Sequence, residues 1–172
     1  ISPFNISLLN NLGLTLHKLY RFQDAKICFD KALNIKCDAK EILINRSLLL
    51  RDMNEKTESI TDLTKVLSLD PECVEALFNL GALYQSNGAI KKAISCYKKT
   101  ITLSPKFSAA HRQLSRLLKY DTKNIHIAEM IALIEDASLS DNDICQLKFA
   151  LAKAYEDCQN YDTAFKFYSE SN

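Results

Sequence analysis

Small residues stand at one fixed interval along the chain: Gly13, Ser47, Gly81 and Ser115 are each 34 residues apart. A small residue returning at a constant period of this length marks a chain built of stacked supersecondary units, none of which can bury its apolar face alone. The same interval aligns other positions. Leu12, Leu80 and Leu114 precede the small residue, with Arg46 in that place in the second unit. Leu16, Leu50, Tyr84 and Leu118 follow it by three. Ala25, Ser59 and Ala93 come next, then Phe29, Leu63 and Tyr97, and Cys37, Pro71 and Pro105 close successive units.

Within a unit the apolar residues recur at helical spacing, as in Leu77, Leu80, Leu83 and Tyr84. Each such stretch runs to about a dozen residues, an ordinary helix length. The small residues mark a close approach of two helices, where a leucine would overpack by roughly 1–3 kcal/mol. Tyr84 and Tyr97 fill the space between neighbouring helices. Asn87-Gly88 suits the left-handed turn between the helices of one unit. Pro71 and Pro105 fall between units, where proline ends one helix without breaking the next. No stretch alternates as a strand does, so the expected class is all-α.

These positions carry a resemblance to the tetratricopeptide repeat (TPR) family. The third unit, 74–107, holds Leu80-Gly81, Tyr84, Gly88, Ala93, Tyr97 and Pro105 at the family's spacing. The first, 6–39, holds Leu12-Gly13, Leu16, Ala25, Phe29 and Ala32, and 40–73 is a weaker copy because Arg46 replaces the leucine. The unit 108–141 keeps Leu114-Ser115 and Leu118 and then drifts, and 142–172 is a partial fifth, with Ala152 placed 37 residues after Ser115. The resemblance implies a right-handed α-solenoid of stacked antiparallel helix pairs, one TPR superhelical domain over 1–172. Its concave surface would be lined by the first helix of each pair, and function is sought there.

Composition narrows the classes of function. Lys plus Arg is 22 and Asp plus Glu is 21, a net charge of +1, which is not the footprint of a nucleic-acid binder. No apolar run reaches a membrane span. No pair among the six cysteines has metal-ligand spacing, and a reducing cytoplasm is the expected compartment. The chain opens on Ile1 rather than Met and closes on Asn172 inside an expected last helix, which points to a piece of a longer protein. A search for chemistry finds none. There is no Gly-rich phosphate loop and no G-x-S-x-G element, and His17, His111 and His126 do not cluster with carboxylates at ligand spacing. The chain is therefore expected to be no enzyme by itself, with no catalytic residue, no metal and no cofactor.

Two features point instead to binding a protein or peptide. Asn11, Asn45, Asn79 and Gln113 again stand 34 apart on the first helices. In the TPR family that place faces the groove, and an amide donates and accepts at once, so a column of amides can hold a peptide backbone. This resembles the asparagine ladder of O-GlcNAc transferase TPR regions. The second feature is nine basic residues and one acid, Asp121, between Lys91 and Lys123. Arg112, Arg116, Lys119 and Lys123 follow an i, i+4, i+7, i+11 course, are expected on one helix face, and would select acidic character. Phe78 and Phe149 would add apolar contact. The lysine and asparagine of the TPR clamp for chaperone C-termini are absent, since Asn10 and Leu14 occupy those places. The last third, with Phe149-Ala150-Leu151 and Tyr161-Asp162…Ala164-Phe165, resembles the segment joining TPR arrays to a sulfotransferase domain in bacterial fusion proteins. That resemblance implies a recruiting arm whose enzyme lies beyond Asn172. An exposed final helix is the expected route to any homo-oligomer.

Overall fold

The computed structural model describes residues 3–171, with side chains from Asn5; Asn172, expected inside the last helix, lies outside them. Among the described residues there are ten α-helices and no strand. They are α1 (Pro3–Lys18), α2 (Phe22–Ile35), α3 (Lys40–Asp52), α4 (Lys56–Leu69), α5 (Val74–Ser86), α6 (Ile90–Leu103), α7 (Ser108–Leu117), α8 (Ile125–Ile134), α9 (Asp141–Asp157) and α10 (Tyr161–Ser169). The chain forms two compact units, one ending at Gly88 and one starting at Ala89. In the first, α1 pairs with α2 and α3 with α4, and α3 and α5 pack onto α2 and α4 in turn. In the second, α9 pairs with α10, α6 packs on α7, and α8 packs on α9. The fold is an all-α solenoid of helix pairs.

The spacing read from the sequence is the spacing of burial. Ala25, Cys28, Phe29, Ala32 and Leu33 make the buried stripe of α2, and Ser59, Asp62, Leu63 and Val66 that of α4. Each large apolar side chain in such a stripe contributes about 1.5–3 kcal/mol. The small residues sit where backbones meet. A Cβ on Gly13 would lie 2.7 Å from Cε1 of Phe29, a ring with no exposed surface. In the next pair the hydroxyl of Ser59 donates to the carbonyl of Ser47 at 2.7 Å, so two small side chains again bring α3 and α4 together.

The turns inside pairs repeat as well. Tyr20, Asn54 and Gly88 stand 34 apart and have φ of 59°, 63° and 72°; Gln159 has 61°. Arg21, Glu55 and Asn160 then donate their N–H back to Leu16, Leu50 and Tyr155 at 2.9, 2.7 and 2.9 Å, the six-residue closure of a left-handed helix cap. The corresponding place in the fourth unit is Thr122, and a β-branched residue disfavours positive φ. There α7 ends early at Leu117, Leu118 is extended (φ −89°, ψ 154°), and α7 lies chiefly along α9 rather than against α8.

A buried polar relay spans that opened pair. His111 Nε2 is 2.8 Å from the Pro105 carbonyl, His111 Nδ1 is 2.8 Å from His126 Nε2, and His126 Nδ1 is 2.7 Å from the Tyr120 hydroxyl. The carbonyl can only accept, so His111 carries its proton on Nε2 and accepts at Nδ1. His126 then donates from Nε2 and accepts from Tyr120. With both rings neutral, every hydrogen along the relay meets an acceptor. Burial pushes the His111 imidazole below its ordinary range, and burial with the nearby His111 and Lys98 pushes His126 down to about 4.

Arg46 explains itself in the first unit. Its Nε and Nη2 reach the two oxygens of Asp62 at 2.8 and 2.7 Å, and Nη1 reaches Asp30 at 2.6 Å. It thereby ties α3 to α4 and to α2. Asp62 is almost fully buried, its side chain 5% exposed, so the residue that departs from the leucine pattern neutralises a carboxylate at the pair's core.

Three outcomes follow from this architecture. Arg46→Leu, which restores the leucine, is expected to destabilise by about 2–3 kcal/mol, less than a fully buried pair because the guanidinium is partly exposed. A urea midpoint equal to or above wild type contradicts this. Gln159→Gly is expected to raise stability by about 0.5–1 kcal/mol by relieving the left-handed backbone, read in the same titration. The relay makes the second unit acid-sensitive. The unfolded histidines bind protons near pH 6.5, whereas folded His126 does so only at about 4 and folded His111 is also pushed down, so stability is intact above about 6.5 and falls as pH drops below it. Between pH 7 and pH 4.5 His126 accounts for a loss of about 2–3 kcal/mol. Urea unfolding of His126→Gln at the two pH values should show a clearly smaller difference than wild type.

Candidate functional site

The first helices of successive pairs are joined by side-chain hydrogen bonds at nearly the repeat interval. In the first unit Asn10, 4% exposed, donates its amide to Glu41 at 2.9 Å and accepts from the Asn45 amide at 2.9 Å. Farther along, His17 Nε2 is 2.9 Å from Asp52. In the second unit Ser108 donates to Asp143 at 2.6 Å, Arg112 to Gln146 at 2.7 Å, and Lys153 to the Leu118 carbonyl at 2.7 Å. Asn10 with Glu41 and Arg112 with Gln146 occupy the same places of two different repeat junctions, once the three-residue insertion before α9 is allowed for.

The amides expected to form a ladder are distributed unevenly between solvent and protein. Asn11 is exposed on α1, and beside it a cleft of about 610 Å³ is bordered by Ile6, Ser7, Asn10, Lys40 and Glu41. Asn45 is half-buried on α3, with its amide nitrogen engaged by Asn10. Asn79 and Phe78 are half-buried on α5, and Gln113 is half-buried on α7. Sequence reasoning missed Asn10 as the junction amide. The available signal was Glu41, one 34-residue step from Ser7 and so 31 residues from Asn10, facing it across the repeat boundary.

The basic block does not share one helix face. Arg112 and Arg116 lie on α7, but that helix stops at Leu117, so Lys119 and Lys123 belong to the irregular segment 118–124. The course i, i+4, i+7, i+11 presumed a helix that Thr122 and the extended Leu118 end. Lys119 instead meets Asp157 at 3.0 Å, while Asp157 also accepts from the Tyr120 N–H at 3.1 Å and from Lys153. Burial pushes the Asp157 carboxyl up, but the hydrogen bonds from Lys153 and Lys119 bring it below the usual range. Arg112 stands over the Phe149 ring, 4.5 Å from its centroid, and Arg116 is exposed.

Ser140 caps the start of α9: the Asp143 N–H donates to the Ser140 hydroxyl at 3.2 Å, and that hydroxyl donates to the carboxylate at 2.5 Å. The Ser108 and Ser140 hydroxyls hold Asp143 below the usual carboxylate range. His111 and His126, read as scattered in the sequence, are in contact with each other and use their ring nitrogens within the protein. Among the described residues no three His, Cys, Asp or Glu side chains converge as metal ligands, and no helix is long and apolar enough to cross a membrane.

The chain is 29% identical over 136 residues to a UDP-N-acetylglucosamine–peptide N-acetylglucosaminyltransferase of Giardia intestinalis, covering 75% of this chain and 9% of that protein. It is 27% identical over 96 residues to the protein O-mannosyl-transferase Tmtc3 of Drosophila melanogaster, covering 55% and 10%. The chain thus spans about a tenth of these curated relatives. Among solved structures, MamA superposes with a TM-score of 0.70 at 20% identity, over 92% of this chain and 91% of that one. YrrB, described as a TPR protein with an unusual peptide-binding site, superposes at 0.68 and 15%, over 95% and 82%. The first TPR of Spaghetti (RPAP3), bound to the HSP90 peptide SRMEEVD, superposes at 0.64 and 16%, over 68% and 93%. These structural likenesses concern the fold. Residues 6–38, 40–73 and 74–107 each match the tetratricopeptide repeat family, and with the helix pairs that carry them they make this chain a member of that family.

Proposed function

We propose that the chain is a protein-interaction scaffold that takes an extended peptide or partner segment along its first helices. The observation that carries this reading is the register of Asn11, Asn45 and Asn79 on α1, α3 and α5 of one compact unit, with Gln113 at the same place on α7 of the other. One N–H of the Asn45 amide is committed to Asn10, which leaves its carbonyl oxygen and second N–H to meet a peptide backbone. Phe78 beside Asn79 supplies apolar contact. YrrB and Spaghetti, which share the fold, are described with peptide sites, and this supports the reading.

A second reading is favoured by the glycosyltransferase relatives: the chain is the recruiting arm of a larger enzyme. Those relatives transfer sugars, which moves the expected enzyme away from a sulfotransferase. Reading the gene on either side of the repeats decides between a glycosyltransferase domain, a sulfotransferase domain and neither. The six free thiols fit a reducing compartment such as the cytoplasm. Tyr161 and Phe165, 64% and 74% exposed on α10, are the apolar surface through which a homo-oligomer would form.

The ladder is tested with a phage-displayed peptide library selected on the chain, followed by fluorescence anisotropy on the best binder. Replacing Asn11, Asn45 and Asn79 together by alanine is expected to weaken binding about 100-fold, at roughly 1 kcal/mol per lost hydrogen bond, with the helical circular dichroism unchanged. Unchanged affinity refutes the ladder.

A further inference from the structure

We propose that Arg112, seated on Phe149 and braced by Gln146, is a pre-set receptor for a carboxylate side chain on a partner segment running along α7 and α9. This rests on the scaffold reading above and gives it a partner chemistry. The guanidinium of Arg112 is half-buried, lies 4.5 Å from the Phe149 ring centroid, and donates Nη1 to Gln146 Oε1 at 2.7 Å. Phe149 is itself held, with its ring 6.3 Å from that of Tyr168. Stacking on one side and a hydrogen bond on the other fix both the position and the plane of the fork. A fixed fork loses little rotamer freedom when it binds, which is the condition for strong bidentate pairing with a carboxylate.

Among the described residues Arg112 forms no ion pair. A guanidinium has five N–H donors, and here one is used, on a neutral amide. Two carboxylates of α9 carry partners of their own. Asp143 receives the Ser108 and Ser140 hydroxyls, and Asp157 receives Lys119 and Lys153. Arg116, one turn farther along α7, is exposed and adds a second cation of the same sign. In the first unit the equivalent junction is different: Asn10 gives its amide to Glu41, which leaves a carboxylate and no cation. The preference for an acidic side chain is therefore confined to the second unit. A single guanidinium matches a single carboxylate. Asp143, three residues from Gln146, would repel a dianionic phosphate more strongly than a monoanionic carboxylate, so the carboxylate is the better occupant.

The test uses the full chain and three fluorescein-labelled ten-residue peptides: alternating Glu and Ala, the same with Gln for Glu, and the same with phosphoserine for Glu. Anisotropy titrations are expected to show the Glu peptide bound at least tenfold tighter than the Gln peptide, and tighter than the phosphoserine peptide. Arg112→Ala should abolish the Glu-over-Gln difference. Gln146→Ala and Phe149→Leu keep the charge but release the fork, and each should weaken the Glu peptide about threefold to tenfold while leaving the Gln peptide unmoved. Arg112→Lys should behave more like the alanine variant than like wild type, and circular dichroism confirms that each variant folds. Arg112→Ala binding the Glu peptide as wild type does, or a tighter phosphoserine peptide, overturns the proposal. If Glu and Gln peptides bind equally and the triple asparagine variant weakens both, the carboxylate receptor falls and the groove stands. If none of the three peptides binds, both fall.

Discussion

Everything in the first unit hangs on how closely two helix backbones can approach. Gly13 has no side chain because the edge of Phe29 occupies the space where one would go. That contact locks α1 against α2 at one height along both helices, and a ring that fills a gap tightly cannot slide without opening a void. The Ser47–Ser59 contact does the same for α3 and α4 by a hydrogen bond instead of a ring. Once height is fixed in each pair, residues one repeat apart are brought level. The junction bonds at Asn10, Glu41 and Asn45 form because of that levelling, not the reverse.

The two units spend this regularity differently. The first keeps its left-handed turns at Tyr20 and Asn54 and stacks its pairs in order. The second loses the turn at Thr122. The core that results is gathered from unusual sources: Tyr120 from the irregular segment, Ile127 and Met130 from α8, and Leu147, Ala150, Leu151 and Ala154 from α9. The small residues of α9 let α7 lie close along it, and the junction bonds from Ser108 to Leu118 follow. What reads in the sequence as decay of the repeat is, in the fold, a change of neighbour.

Much of this was legible beforehand, and the rest was hidden for definable reasons. The 34-residue ruler fell on α1, α3, α5 and α7, and Gly88 announced its own turn. The same turn at Tyr20 and Gln159 was not readable, because a left-handed residue other than glycine or asparagine carries no compositional mark. Arg46 looked like erosion of a leucine, since its partners Asp30 and Asp62 are each 16 residues away and only folding brings them together. His111 and His126 looked unrelated for the same reason, at a separation of 15. The assignment of Lys119 to a helix face failed on one assumption, that α7 runs as long as the other first helices. The ladder positions fell on first helices as expected, but periodicity alone could not tell Asn45, whose amide already bonds Asn10, from Asn11, which is open to solvent.

The grip of Arg46 has a consequence for how the first unit comes apart. Stacked repeats usually open piecemeal, because each one touches only its neighbours. Here one guanidinium holds carboxylates from two successive pairs, so peeling α2 away strips Asp30 from a group that Asp62 alone must then balance. Fraying at the amino-terminal end is thereby coupled to the pair behind it. The first two repeats should behave as a single cooperative block rather than as two separable layers.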